Sequence, residues 1–66
     1  MKDQKAVYYS EIVEIFYSSM TDLINEELTN GWNVKGITSP MKWIDIRGLS
    51  RCSCLIVFER DLDYGE

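Results

Sequence analysis

The residues best suited to chemistry lie in one short basic segment of an otherwise acidic chain. Across positions 35–51, four basic residues and one acidic residue give a net charge of +3; because the 66-residue chain carries −4 overall, the remaining positions carry −7. Arginine can hold a phosphate through two parallel hydrogen bonds, and an indole ring can stack on a nucleobase. The segment therefore predicts a site for a small anionic, nucleotide-like ligand, formed by Lys35, Lys42, Trp43, Arg47 and Arg51.

Two other interpretations of these aromatic and basic residues stay open. Arg47 and Arg51 could flank a turn and make surface ion pairs, each worth under about 1 kcal/mol, with Trp43 in the core or an interface. Tyr8, Tyr9 and Tyr17 form a second candidate surface, because tyrosines anchor many protein interfaces. They are also ordinary strand residues.

The composition argues against catalysis. The chain has no histidine, which excludes Ser-His-Asp and Cys-His machinery and any histidine-ligated metal. Neither the G-x-x-x-x-G-K-[ST] phosphate loop nor G-x-G-x-x-G occurs. Glu11 and Glu14 would face opposite sides of a strand. We therefore expect no enzyme activity, no catalytic residues and no cofactor.

The two cysteines are expected to be reduced and buried. Cys52 and Cys54 are two residues apart, so on a strand they share a face with Cα atoms roughly 6.5–7 Å apart. That spacing is at the limit for a disulfide, and a zinc site would need further ligands. We expect no metal site and a cytoplasmic location. We expect no signal peptide, and the sequence shows no apolar run long enough to span a membrane.

A chain of this length is expected to form a single domain, 1–66, with frayed tails at 1–5 and 62–66. The β-branched and aromatic run 6–17 predicts a strand, either continuous or kinked near Ser10-Glu11. A helix of about eleven residues follows, with Ser19 as its N-cap. Gly31 is expected in a left-handed conformation just past its end.

The second half of the chain predicts two further strands. Residues 32–39 form one, with Gly36 marking a bulge or a close backbone approach and Pro40 ending the strand. Residues 41–51 are either an excursion of that strand or a loop with a turn at Arg47-Gly48. Residues 52–60 form the last strand. The expected fold class is α+β: a small antiparallel sheet of three strands, or four, with one helix in β-α-β-β order.

The predicted strands suggest self-association. The first and last carry apolar side chains on both faces, and one short helix can cover only one face. A second copy would bury the other face, giving a dimer or a dimer of dimers. Alternatively, the first strand bends and wraps its own core.

The helix end and the last strand carry a family resemblance. The run Leu28-x-x-Gly31-Trp32-x-Val34, with a second glycine at Gly36, resembles a pattern in short uncharacterised bacterial and phage proteins. Their last strand ends in an aromatic and a basic residue, as 57–60 does here. The resemblance covers roughly 6–60 and implies the sheet-plus-helix fold, without an activity or site residues.

These observations lead to three functional hypotheses. The first is a non-catalytic homo-oligomer that sequesters a small anionic ligand at a subunit interface, as small phage proteins do in counter-defence. The second is an acidic interaction module or inhibitor that binds a larger protein. The third is an accessory subunit whose sheet edge completes a larger assembly. General nucleic-acid binding conflicts with a pI of about 4.6, and no membrane partner is expected.

Overall fold

The strands and the helix follow one another in the predicted β-α-β-β order. The computed structural model describes residues 2–61, in which β1 (Lys2–Ile12) leads directly into α1 (Val13–Thr29), followed by β2 (Asn33–Ile44) and β3 (Ser50–Asp61). The three strands form one antiparallel sheet in the order β1-β3-β2. The α+β fold class is confirmed.

The last strand in the sequence is the central strand of the sheet. Its alternate residues Cys52, Cys54, Ile56 and Phe58 are all buried, and they form the core with Phe16 of α1 and with Trp32. This period-two pattern is what a strand covered on one face requires. The prediction for β3 is confirmed, with Ser50, Arg51 and Asp61 added at its ends.

The helix begins six residues before the predicted N-cap, so the predicted strand 6–17 is wrong beyond Ile12. Ser19 lies inside α1, and Ile12 precedes the first turn without a side-chain cap hydrogen bond. Phe16 explains the difference, because it buries its ring at helical spacing from Met20 on the same stripe. Burial of this stripe outweighs the strand preference of the β-branched and aromatic residues.

The C-terminal end of α1 agrees with the prediction. Gly31 has φ +89°, and its amide donates to the Leu28 carbonyl at 3.1 Å. The next amide, that of Trp32, donates to the Glu27 carbonyl at 3.0 Å. These two bonds form a Schellman motif. The turn sends the Trp32 indole into the core.

The second strand does not end at Pro40. It continues to Ile44 through two irregularities, one between Val34 and Gly36 and one between Thr38 and Met41. The first confirms a bulge at Gly36 rather than a close backbone approach, because nothing lies within 4 Å of the position that a Cβ atom would take there. At the second, Ser39 adopts φ +54°, and the extra residue lets the chain pass proline and resume pairing.

Residues 2–5, which are predicted to be frayed, are part of β1 in the structure. Lys2 to Lys5 pair in register with Asp61 to Phe58 of β3. Positions 62–66 lie outside the described residues.

The sheet is longer than the helix that covers it. Seventeen helical residues span about 25 Å, whereas twelve strand residues span about 40 Å. The molecule measures 53 × 19 × 13 Å and has a radius of gyration of 14.4 Å. A compact chain of this length would have a radius of about 11 Å. One face of the sheet and the hairpin at its end therefore lack a cover within the described chain.

Candidate functional site

Two of the predicted site residues are direct neighbours across the sheet. Trp43 of β2 is paired with Arg51 of β3, which is paired on its other side with Ile12 of β1. Side chains directly opposite one another on neighbouring strands share a face, with Cβ atoms about 4.5–5.5 Å apart. The side chains of Trp43 and Arg51 therefore leave the sheet next to each other on the face opposite α1, which we call the open face.

A tight turn fixes the register of this pair. Asp45 Oδ1 accepts hydrogen bonds from the amides of Arg47 and Leu49, at 2.9 and 3.0 Å. The backbone closes the same turn from Gly48 to Asp45, and Gly48 takes φ +81°. This is a three-residue hairpin connection with glycine in the left-handed position. The turn predicted at Arg47-Gly48 is confirmed, and residues 41–51 form a strand end, a turn and a strand start.

The same carboxylate also contacts the candidate anion-binding arginine. Arg51 Nη1 lies 3.7 Å from Asp45 Oδ2. The pKa of Asp45 is lowered, first by the hydrogen bond from the Leu49 amide and further by the Arg47 amide and the two arginine charges. Asp45 is therefore ionised at neutral pH and competes with any anion for Arg51.

Lys42 lies beside the pair, although by register it belongs to the helix-side face. It pairs with Cys52, one position before the Trp43–Arg51 pair. A cleft of about 420 Å³ joins the two faces at this end of the sheet and is lined by Val13, Lys42, Trp43, Ile44, Ser50 and Arg51. Val13 is the first residue of α1, so the positive end of the helix dipole lies at the cleft, where Glu14 in the first turn partly offsets it.

The other two predicted site residues lie elsewhere. Arg47 is exposed in the hairpin turn next to the cleft without lining it. Lys35 is at the opposite end of β2, with its Nζ atom 3.6 Å from Glu59 Oε2. Lys42 follows Lys35 by seven residues along β2, which separates them by about 20 Å. The structure thus brings together Lys42, Trp43 and Arg51, with Arg47 nearby.

Sequence reasoning missed the role of Asp45. It was counted only as the one acidic residue of the basic segment, whereas it organises the turn and pairs with Arg51. Its signal was available, because aspartate at the first position of a turn that ends in glycine commonly accepts amide hydrogen bonds.

The three tyrosines do not form one rim. Tyr8 lies on the open face, 65% exposed, whereas Tyr9 faces α1 with its ring centroid 5.3 Å from that of Phe16. Tyr17 is 68% exposed on α1. Only Tyr8 shares a surface with Trp43.

Thiols and carboxylates are the groups of residues 2–61 that could act as nucleophiles or metal ligands. Cys52 and Cys54 are free and buried, and burial raises the pKa of the Cys54 thiol, with Cys52 adding to the effect. A protonated thiol is a poor nucleophile. In this part of the chain, no three Cys, Asp or Glu side chains are grouped so that they could hold a metal ion. No helix there has the length and apolar character needed to cross a membrane.

Comparison with protein-family models, with curated proteins and with solved structures finds no match to this chain.

Proposed function

We propose that this chain is a non-catalytic, self-associating binding protein that sequesters a small anionic, nucleotide-like ligand at a subunit interface. The observation that carries the proposal is the Trp43–Arg51 pair at the end of an uncovered sheet face. An indole offers a stacking surface for a base, and a guanidinium matches a phosphate bidentately. The pair therefore gives both the base and the phosphate of a nucleotide a binding partner on neighbouring strands.

The open face is apolar enough to require a cover. By register it carries Tyr8 on β1, Met41 on β2, and Leu55 and Val57 on β3. Tyr8 and Met41 are 65% and 61% exposed, and the two residues of the central strand are only half-buried. Soluble monomers seldom expose a contiguous patch of this kind. A second copy laid on this face would bury it by sheet-on-sheet packing.

Such packing would place the ligand between subunits. Trp43 and Arg51 lie on the same face as the apolar patch, so a copy that covers the patch also approaches the pair. A two-fold axis would create two equivalent sites in a dimer, and a dimer of dimers would double them again. Lys42 and Arg47 add positive charge close to the pair, while the acidity of the rest of the chain disfavours long polyanions.

The setting of the protein is part of the proposal. Two buried thiols without a disulfide are typical of a reducing compartment, which suits a cytoplasmic protein. A phage source and a role in counter-defence rest on the resemblance of the Gly31-Trp32 segment to short bacterial and phage proteins.

Calorimetric titration with a panel of anions tests the site. The panel comprises inorganic phosphate, nucleoside monophosphates and cyclic mono- and dinucleotides. Trp43→Ala should lower the affinity for the best-binding nucleotide by roughly tenfold or more, since base stacking contributes about 1–3 kcal/mol. Arg47→Ala should weaken it as well, through loss of nearby positive charge.

Lys35→Ala is the matched control, because it removes the same charge at the far end of β2. We expect it to leave affinity unchanged, and all three variants should keep the wild-type oligomeric state. If Trp43→Ala and Arg47→Ala bound the nucleotide like the wild type, the proposed site would be wrong.

A second candidate function is favoured by the charge of α1. The helix contains four acidic residues and no basic one, and Glu14, Asp22 and Glu26 are exposed. This face would suit a larger, basic protein partner. Binding of that kind would weaken steeply with salt and with Glu26→Lys. Glu27 is the poorer place for this test, because its carboxylate holds Lys5 at 2.8 Å.

A further inference from the structure

A cavity on the helix side of the sheet brings sulfur atoms together. It has a volume of about 400 Å³ and lies between the first half of α1 and the strands β2 and β3. Cys52, Cys54, Met20 and Met41 line it, together with apolar side chains such as Phe16 and Pro40. This cavity is separate from the cleft at Trp43 except for Lys42, which lines both.

Two of the sulfur atoms have the spacing that metal ligation needs. The Cys54 thiol donates to Met20 Sδ over 3.8 Å. With metal–sulfur bonds of about 2.3 Å, two ligands at about 120° around one ion would stand roughly 4 Å apart. The S–H···S contact therefore already holds two sulfur atoms at a trigonal ligand spacing. Cys52 supplies a third sulfur on the same face of β3, two residues away.

We propose that Cys52, Cys54 and Met20 form a binding site for a soft monovalent cation, Cu(I) in particular. Thiolate and thioether ligands select Cu(I), whereas zinc sites are built from four thiolate, imidazole or carboxylate ligands. The described residues hold no cluster that would complete such a zinc site. Binding breaks two S–H bonds, forms two Cu–thiolate bonds and one Cu–thioether bond, and releases two protons to water without a change of oxidation state.

Lys42 balances the charge of the loaded site. Two thiolates and one Cu(I) ion carry −1 together, and a charge of that sign in an apolar cavity needs a counter-charge. Lys42 pairs across the sheet with Cys52 and is the one charged residue among the described residues that line the cavity. The cavity is bordered by the exposed side chains of Tyr17, Ile37 and Pro40, between which an ion can enter.

The test is an anaerobic titration of the full chain with Cu(I) in the presence of a chromophoric Cu(I) chelator, with native mass spectrometry of the product. We expect one copper per chain and a mass increase of one copper less two protons. Met20→Leu conserves volume and keeps the core, so it isolates the thioether. Its affinity for Cu(I) should fall by at least the roughly 10- to 100-fold that loss of an outer-shell partner costs.

Ile37→Leu is the matched control, because Ile37 lines the same cavity but supplies no sulfur atom. Its Cu(I) affinity should equal that of the wild type, while Cys54→Ser should abolish retention of the ion. Equal losses in Met20→Leu and Ile37→Leu, or none in either, would overturn the assignment. Complete transfer of copper from the wild-type chain to the chelator would also overturn the assignment. Because Met20→Leu leaves Trp43 and Arg51 in place, the result is independent of the proposed anion site.

Discussion

At the scale of single residues, Asp45 has the most consequences for the candidate site. Its Oδ1 atom organises the hairpin turn, and its Oδ2 atom lies 3.7 Å from Arg51. The first contact builds the site, because it fixes the cross-strand register of Trp43 and Arg51. The second contact competes with a bound anion for the guanidinium.

Asp45→Asn separates these two roles. An asparagine oxygen can still accept the amides of Arg47 and Leu49, but it carries no charge. We therefore expect the variant to keep the turn and to bind the nucleotide more tightly than the wild type in a calorimetric titration. Asp45→Ala, which removes the acceptor as well, should lose affinity. If Asp45→Asn lowered the affinity for the nucleotide as much as Asp45→Ala, the carboxylate charge would not compete with the anion for Arg51.

The lowered pKa of Asp45 also makes a prediction about acid stability. A carboxyl whose folded pKa is below its ordinary value of 3.8 stabilises the fold above that pH, and the contribution is lost as pH falls through the folded pKa. At about pH 5 and higher, the wild type should therefore have a higher Tm than Asp45→Asn. The difference in Tm should close as pH drops below 3.8. A difference that stays constant from about pH 5 to pH 2 would contradict this assignment.

At the scale of elements, the end of α1 depends on one backbone conformation. Gly31 has φ +89°, a region that costs other residues about 1–2 kcal/mol. Gly31→Ala should lower the free energy of unfolding by about 1 kcal/mol in a urea titration.

Gly36→Ala is the control for this substitution. Gly36 does not have a left-handed φ, and nothing lies within 4 Å of the position that its Cβ would take. Its substitution should leave stability within about 0.5 kcal/mol of the wild type. Equal losses at both glycines would show that the effect comes from glycine replacement in general, rather than from the Schellman motif.

The start of α1 gives a second prediction at this scale. Ser19 lies six residues inside the helix, so Ser19→Ala replaces a moderate helix former by a strong one. We expect unchanged or slightly higher stability, by up to about 0.5 kcal/mol. A loss of about 1 kcal/mol in chemical denaturation is what removal of an N-cap would cause. That result would place the helix start at Ser19 after all.

The elements also show which parts of the fold can be predicted from sequence. The alternation of β3 and the Gly31 turn are local patterns, and both were predicted correctly. The start of α1 was not predicted correctly, because the run from Val13 to Tyr17 has strand propensity. This run is helical because burial of Phe16 in the core outweighs that propensity. Passage of β2 through Pro40 likewise depends on a bulge opposite β3, which a single strand does not reveal.

The same limit applies to the candidate site. Composition alone pointed to the basic segment, and the structure gathers three of the five predicted residues in one cleft. Pairing of Trp43 with Arg51 depends on the register after the second bulge, and Lys35 was included only because it is close in sequence. Asp45 was the residue that local turn chemistry could have identified.

At the scale of the whole molecule, the open face decides whether the chain acts alone. Tyr8→Glu places a charge on this face at a side chain that is 65% exposed, so the fold should tolerate it. We expect the variant to sediment as a monomer in analytical ultracentrifugation, because a charge buried between two apolar sheets is strongly unfavourable.

Tyr17→Glu is its matched control. Tyr17 is 68% exposed on α1, away from the open face, and the substitution is chemically identical. This variant should keep the oligomeric state of the wild type. If Tyr17→Glu dissociated the assembly and Tyr8→Glu did not, the contact between copies would lie on the helix side of the sheet.

Native mass spectrometry of the protein purified from cells tests the central claim most directly. The claim is that two or more copies meet over the open face and enclose an anionic ligand at Trp43 and Arg51. It predicts a discrete dimer or tetramer that carries extra mass in proportion to its interfaces, with the extra mass lost on denaturation. A monomer of 7.7 kDa, or an oligomer that stays bare after incubation with the nucleotide panel, would contradict it.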